Sequence, residues 1–258
     1  MDSIVEIAAT AGQRAMQFYG KCATVEHKRQ DGPVTAADRA AHELIVRGLT
    51  DRWPEIPVIS EEGAIPTYAE RRNWNTFWLV DPLDGTKEFL SENGEFTVNV
   101  ALVSMTAPVL GVIVAPALNT IYFAERGRGA WRRVANGRTE RISSGTPPAD
   151  RTRVVESRSH PAPELEQFIA ALGPVERVRL GSSLKFCRIA EGCADLYPRF
   201  GRTMEWDVAA GDCIFRNATR DGCERDSPFR YNQPTLSTPG FVIGERSAAA
   251  ARSTPVQS

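Results

Sequence analysis

No stretch of this 258-residue chain approaches the roughly 20 consecutive apolar residues that a membrane-spanning helix needs. The opening residues, Met1-Asp2-Ser3-Ile4, lack the basic segment followed by an apolar core that marks an export signal. The sequence therefore predicts a cytoplasmic protein; peripheral association with the inner membrane stays open, though no apolar segment here would explain one. Cysteine is sparse and odd in number, with Cys22, Cys187, Cys193, Cys213 and Cys223 forming no Cys-x-x-Cys pair. That excludes a disulfide framework and a structural zinc site, and predicts reduced thiols. A charge excess is missing too: 31 basic against 32 acidic residues leave a net charge of -1, so neither a nucleic-acid polymer nor an acidic membrane is expected as main partner. Internal repeats and low-complexity tracts are absent, and only the Ala-rich tail, 247–258, reads as disordered. What remains is a globular chain, 42% hydrophobic, able to bury one large core or two modest subdomains and suited to a small substrate.

The most informative stretch is Phe77-Trp78-Leu79-Val80-Asp81-Pro82-Leu83-Asp84-Gly85-Thr86. Its apolar, aromatic and branched residues read as a buried strand that the Asp-Pro step ends. Asp81 and Asp84 can then face one spot with the Leu83 carbonyl between them, an oxygen set suited to a hard cation such as Mg²⁺. Gly85-Thr86 opens a possible helix whose free amides favour an anion. The same residues are also ordinary turn formers, so other carboxylates decide the matter.

Those carboxylates recur at comparable places. Helical spacing from Ile4 to Tyr19 predicts a first helix ending near Gly20, and Val25–Arg29 is a short strand candidate. Thr35 fits the cap of a second helix with Asp38 in its first turn, where an acid can simply complement the helix dipole. The short strand Val58-Ile59-Ser60 delivers Glu61 and Glu62 at its end, as the later strand delivers Asp81. Residues 95–103, 109–115, 120–124 and 130–131 predict a large antiparallel sheet. The polar segment 143–149 marks a boundary, giving an N-terminal α+β unit over 1–148 and a C-terminal unit over 149–246 in which strands and helices alternate. Within it, Glu205–Ile214 reads as a helix with Asp207 in its first turn, a capping position in its own right.

Taken together, Ser60-Glu61-Glu62, the stretch from Trp78 to Phe89 and Trp206-Asp207-Val208-Ala209-Ala210-Gly211 resemble the three metal-site motifs of the inositol monophosphatase superfamily. Lys87-Glu88-Phe89, the run from Asn93 to Asn99, Gly181–Phe186 and Leu196–Phe200 are similar to its branch of 3'(2'),5'-bisphosphate nucleotidases of the CysQ type. The likeness runs from the first helix to Phe241. It implies a layered α/β/α/β/α sandwich, two or three Mg²⁺ ions, and hydrolysis of the 3'-phosphate of adenosine 3',5'-bisphosphate, with the 3'-phosphorylated form of adenosine 5'-phosphosulfate as a further substrate.

Carried over by position, the resemblance implies metal ligands at Glu61, Asp81, the Leu83 carbonyl, Asp84 and Asp207. It implies water activation by Asp38 and Thr86, and a hold on the scissile phosphate by Gly85 and Thr86. His160, Ser182, Lys185 and Arg199, with Lys28 near the entrance, would grip the remaining phosphate and the nucleoside. The chain departs from the family pattern over residues 212–223, which bears on the packing beneath Asp207. Inositol, histidinol or fructose-bisphosphate phosphatase activity on the same fold is the alternative, and a non-catalytic metal or nucleotide sensor is a more distant one. Monomer and homodimer both remain compatible with the sequence.

Overall fold

The computed structural model describes residues 1–21, 26–28, 32–160 and 162–245. The tail from Ser247 and Cys22, for which disorder and a free thiol were expected, lie outside these residues. Helix α1 (Asp2–Met16) is followed by the antiparallel pair β1 (Glu26–Lys28) and β2 (Gly32–Val34), and then by α2 (Ala36–Arg52). Then come β3 (Val58–Ser60), α3 (Tyr68–Arg71), β4 (Thr76–Asp84), α4 (Thr86–Leu90), β5 (Thr97–Ser104), β6 (Ala107–Ala115), β7 (Thr120–Glu125), β8 (Gly129–Val134) and β9 (Thr139–Ile142). The remainder is β10 (Thr152–Ser157), α5 (Pro163–Ala170), β11 (Val175–Leu180), α6 (Leu184–Ala190), β12 (Leu196–Arg199), β13 (Thr203–Met204), α7 (Glu205–Asn217), β14 (Ser237–Thr238) and β15 (Phe241–Gly244).

Strands β3 to β9 form one seven-stranded sheet in chain order. All its neighbours are antiparallel except β3 and β4, which run parallel. Strand β4 explains how this sheet is packed. Phe77, Trp78, Leu79 and Val80 are all buried, yet Phe77 and Leu79 belong to one apolar cluster and Trp78 and Val80 to another. Successive side chains leave opposite faces of a strand, so a run that is apolar at every position must have a core on each side. On one side lie Ile4, Ala8 and Ala11 of α1 with Ala41, Ile45 and Leu49 of α2. On the other lie Phe186 and Ile189 of α6 with Val208, Ala209 and Ile214 of α7.

The far side of α6 and α7 is closed by a second sheet, ordered β11-β10-β12-β15, whose Val155, Tyr197 and Ile243 join the same cluster. Its opposite face packs Val154 and Leu196 against Leu165 and Ile169 of α5. The layers are therefore α1 and α2, sheet, α6 and α7, sheet, α5: the five-layer sandwich expected. Two glycines allow the central helix layer to sit this tightly. A Cβ on Gly111 of β6 would lie 2.6 Å from the Ala210 carbonyl oxygen, and one on Gly211 would run into the Phe186 ring.

The Asp-Pro step does not end β4 as its sequence predicts. The strand continues to Asp84, and its register against β5 slips between the pairs Asp81–Asn99 and Asp84–Thr97, placing an extra residue on β4. Proline has no N–H to give the ladder, and a bulge accommodates it without losing the pairing on either side.

Candidate metal and phosphate site

Glu61 and Asp81 come from neighbouring parallel strands. Ser60 pairs with Val80, and the Glu61 amide donates to the Val80 carbonyl at 3.1 Å. Ile59 and Leu79 both face the α6–α7 layer, so the two-residue alternation of a strand turns Glu61 and Asp81 towards that layer as well. The third acid waits there, at the start of α7. One carboxylate oxygen from each of Glu61, Asp81 and Asp207 lies within 4.8 Å of the others. These residues are separated by up to 146 positions of chain, and the register of two strands with the seating of one helix brings them together.

The electrostatics follow from burial and from like charges. Asp81 is 1% exposed; burial first, then the charges of Glu61, Asp84 and Asp207, hold its carboxyl well above the ordinary range. Asp84 is not in the close trio, yet burial and Asp207 push it up to about 7 against the pull of Lys185. Burial also raises Asp207, opposed by hydrogen bonds from Thr203 and Met204. Carboxylates buried side by side resist ionising together unless a cation offsets them, and an all-oxygen set of this kind suits a hard divalent ion.

The capping and ligand readings of Asp207 prove compatible. Its Oδ2 accepts from the Met204 amide at 2.9 Å and the Thr203 hydroxyl at 2.5 Å, closing a capping box at the head of α7, while Oδ1 is not spent on the cap. Asp38 repeats the device at the head of α2, where its Oδ2 accepts from the Thr35 amide at 2.8 Å and the Thr35 hydroxyl at 2.5 Å. Burial raises the Asp38 carboxyl, the Thr35 bonds lower it, and Glu62 raises it further. Asp38 thus stands close enough to the Glu61-Glu62 corner to feel its charge.

Leu83 occupies the bulge; its amide donates to Asp81 Oδ1 at 3.0 Å, and its side chain packs with Ala37 of α2 and Phe89 of α4. That small cluster holds the head of α2 against the segment carrying Gly85 and Thr86. Gly85 adopts φ +91°, open to glycine at little cost, and a Cβ there would lie 3.4 Å from both the Glu95 carbonyl and Ser182 Cβ. Thr86 opens α4, which has only five residues, so any anion is held there by individual N–H groups more than by a summed dipole.

The basic residues fall into two groups. Lys185 is buried, donates to the Leu180 carbonyl at 3.3 Å and to the Ser182 carbonyl, and lies over the Tyr197 ring. Burial lowers its ammonium to about 8, with Asp84 holding it up. Arg199 and His160 lie farther out. Arg199 reaches the Ser157 hydroxyl at 3.3 Å and leaves its buried Nε without a partner, while His160 Nε2 is 3.5 Å from Lys87 Nζ. Desolvation, then the cations Arg199 and Lys87, lower the imidazole to about 4, so it is neutral at physiological pH. Ser182 sits at φ +48°, a strained conformation for a residue with a side chain. Lys28 lies in β1, where only the backbone is described.

Several residues that shape this corner, most of them within the stretches that carry the resemblance, had no role assigned from the sequence. Glu95 accepts from Arg158 through both carboxylate oxygens at 2.7 Å and from the Gly181 amide at 2.8 Å, and buried Glu88 accepts from Ser159. Thr97, Asn99 and Ser183 are linked in one buried chain of hydrogen bonds ending at Asp84. A signal for Thr97 and Asn99 was available, because they are polar at the strand parity that Ala101 and Val103 fill with apolar side chains.

Residues 1–252 match the family described as the inositol monophosphatase family. The chain is 46% identical to the Escherichia coli (strain K12) protein named 3'(2'),5'-bisphosphate nucleotidase CysQ, over 94% of this chain and 98% of that one. It is 47% identical to the protein of that name from Salmonella typhimurium, over 83% of this chain and 86% of the other. The crystal structure of CysQ from Bacteroides thetaiotaomicron, described as a bacterial member of the inositol monophosphatase family, superimposes with a TM-score of 0.81 at 41% identity, covering 94% of this chain and 96% of that one. With the fold, the acidic corner and these likenesses in agreement, the chain belongs to the inositol monophosphatase family.

Proposed function

We propose that this protein is a Mg²⁺-dependent phosphatase that hydrolyses the 3'-phosphate of adenosine 3',5'-bisphosphate to AMP and phosphate. The 3'-phosphorylated form of adenosine 5'-phosphosulfate is a second substrate of the same site, in sulfur assimilation and nucleotide recycling. The observation that carries this reading is the convergence of Glu61, Asp81 and Asp207 oxygens within 4.8 Å of one another, in a layer reached from three distant segments.

Glu61, Asp81, the Leu83 carbonyl, Asp84 and Asp207 would hold two or three Mg²⁺ ions. When bound, the metal supplies charge neutralisation at the phosphoryl oxygens, acidification of water and stabilisation of the leaving alkoxide. Asp38, a buried carboxylate fixed by Thr35, accepts the proton of the attacking water, and the Thr86 hydroxyl orients that water. The backbone of Gly85 and Thr86 holds the scissile phosphate. Arg199, His160, Ser182 and Lys185 bind the second phosphate and the nucleoside, with Lys28 at the entrance. Neutral His160 does so as a hydrogen-bonding group, and Arg199 provides the permanent charge and planar fork suited to a phosphate.

We divide the chain into an N-terminal unit over 1–148 and a C-terminal unit over 149–246. The large sheet ending at Ile142 and the smaller one beginning at Thr152 support that division. We place the protein in the cytosol on the strength of free thiols at Cys187, Cys193, Cys213 and Cys223. Among the described residues no helix is long and apolar enough to cross a membrane.

The test is side-by-side turnover of adenosine 3',5'-bisphosphate, 3'-phosphoadenosine 5'-phosphosulfate, inositol 1-phosphate, histidinol phosphate and fructose 1,6-bisphosphate in Mg²⁺. The two adenosine compounds are expected to be hydrolysed with the highest kcat/KM. Preference for a sugar phosphate would reassign the substrate, and Mg²⁺-dependent stabilisation without phosphate release would make the protein a sensor.

A further inference from the structure

We propose that Asn99 and Ser183 are positioning residues for Asp84, fixing its carboxylate for the cation through a one-way chain of hydrogen bonds that begins at Thr97. The inference rests on the reading of Asp84 as a metal ligand given above. Asn99 Nδ2 lies 3.4 Å from Asp84 Oδ2, Ser183 Oγ donates to Asn99 Oδ1 at 2.7 Å, and Thr97 Oγ1 is 2.8 Å from Ser183 Oγ. The direct link to Asp84 is the Asn99 amide, so Ser183 acts on the carboxylate through Asn99. Thr97, Asn99 and Ser183 are each at most 3% exposed, which removes water as an alternative partner.

The direction of the chain is set at its acidic end. Held to a cation, the Asp84 carboxylate would be ionised and only accept, so the Asn99 amide turns its NH₂ to Asp84 and its carbonyl oxygen away. That oxygen in turn requires a donor, which commits the Ser183 proton to it. The Ser183 oxygen is then left to accept from Thr97. Each member has a single satisfied orientation, and rotating any one of them leaves a buried polar group unpaired at a cost of about 1–3 kcal/mol.

Strand parity and the bulge make the arrangement possible. Thr97 and Asn99 share the face of β5 that Ala101 and Val103 turn towards the α6–α7 layer, and Ser183 stands just ahead of α6 in that layer, its hydroxyl free of any capping bond to the helix. Asn99 pairs with Asp81 across the ladder, and Thr97 pairs with Asp84 beyond the extra residue. The slip that brings Asp84 opposite Thr97 therefore also brings its carboxylate within reach of Asn99. Groups that orient metal-bound carboxylates commonly account for about 10–100-fold in metal affinity or activity.

The experiment compares Asn99→Ala, Ser183→Ala and Asp84→Asn with the unmodified protein in two readouts: the Mg²⁺ concentration giving half-maximal turnover, and the rise in Tm on adding Mg²⁺ to metal-free protein. Asn99→Ala is expected to raise the half-saturating Mg²⁺ concentration by about tenfold or more and to shrink the Tm rise, with KM for the substrate at saturating Mg²⁺ within about twofold. Ser183→Ala should follow in the same direction. Thr97→Val, which keeps the shape and removes the hydroxyl, should weaken Mg²⁺ less, and Thr97→Ser should restore it; this pair keeps the test decisive if Asn99→Ala fails to fold. Unchanged Mg²⁺ dependence in Asn99→Ala and Thr97→Val, alongside its loss in Asp84→Asn, overturns this inference alone. Unchanged Mg²⁺ dependence in Asp84→Asn itself removes the metal-ligand reading on which it stands.

Discussion

Gly111 on β6 lies so close beneath Ala210 on α7 that a methyl group added to the glycine would sit 2.6 Å from the Ala210 carbonyl oxygen. Because α7 carries Asp207 at its head, this contact sets the height of that carboxylate above the sheet that carries Glu61 and Asp81. We predict that Gly111→Ala costs about 1–3 kcal/mol in urea unfolding by overpacking, and also weakens Mg²⁺ activation by lifting α7. Normal stability and normal Mg²⁺ dependence would show that the helix does not need this contact.

Asp81→Asn and Asp84→Asn each remove charge from the acidic corner. Turnover should fall by orders of magnitude in both, with the far-ultraviolet circular dichroism retained. Wild-type-like hydrolysis in the two variants would exclude them as ligands.

Glu95 ties the Gly181 amide and Arg158 to the edge of the site. Removing it in Glu95→Ala should loosen the strained Ser182 loop and raise KM for the bisphosphate by about tenfold, a loss of roughly 1.4 kcal/mol of binding, while kcat changes little. An equal fall in kcat with KM unaltered would place Glu95 in the chemical step instead.

Asp212 explains part of the unusual 212–223 segment. It is fully buried on α7 and accepts from the Tyr231 hydroxyl at 2.8 Å, and burial pushes its carboxyl from an ordinary 3.8 up to about 6. A folded-state value above the unfolded one favours the protonated fold: the stabilisation is complete below about 3.8 and is lost as the pH rises through about 6. Asp212→Asn keeps an acceptor for Tyr231 and cannot ionise. Its stability relative to the unmodified protein should therefore rise by about 1–3 kcal/mol between pH 4 and pH 7, as read by urea unfolding at each pH. A difference independent of pH would mean that Asp212 ionises in the fold without cost.

The large sheet and the alternation after residue 150 were legible because their longer strands carry a continuous or two-residue apolar pattern, and because α7 opens with acids in its first turn, whereas the β9 strand Thr-Glu-Arg-Ile gives no such signal. The motifs bearing Glu61 and Asp81 were legible because each lies where the apolar run of a strand ends, and that bearing Asp207 because it lies in the first turn of a helix. Other features had no local signal. Proline at position 82 predicts a strand end, and only the partner strand β5 turns it into a bulge. Ser183 lies in a stretch that carries the resemblance but has no role there until the fold sets it against Asn99, 84 positions away. The resemblance assigns Lys185 to the substrate, but nothing local in the sequence shows that tertiary packing buries it, donating to the Leu180 and Ser182 carbonyls. Two-stranded ribbons such as β13–β14, of two residues each, lie below the length at which periodicity can be read.

The central claim is that acids from three remote segments surround a shared cation. Its most direct test is anomalous diffraction from crystals soaked in Mn²⁺, a hard divalent substitute for Mg²⁺. The account predicts anomalous peaks at about 2.0–2.2 Å from carboxylate oxygens of Glu61, Asp81 and Asp207, with Asp84 and the Leu83 carbonyl completing the set. A fully soaked crystal with no peak among these residues, or with its peaks elsewhere on the protein, would contradict it.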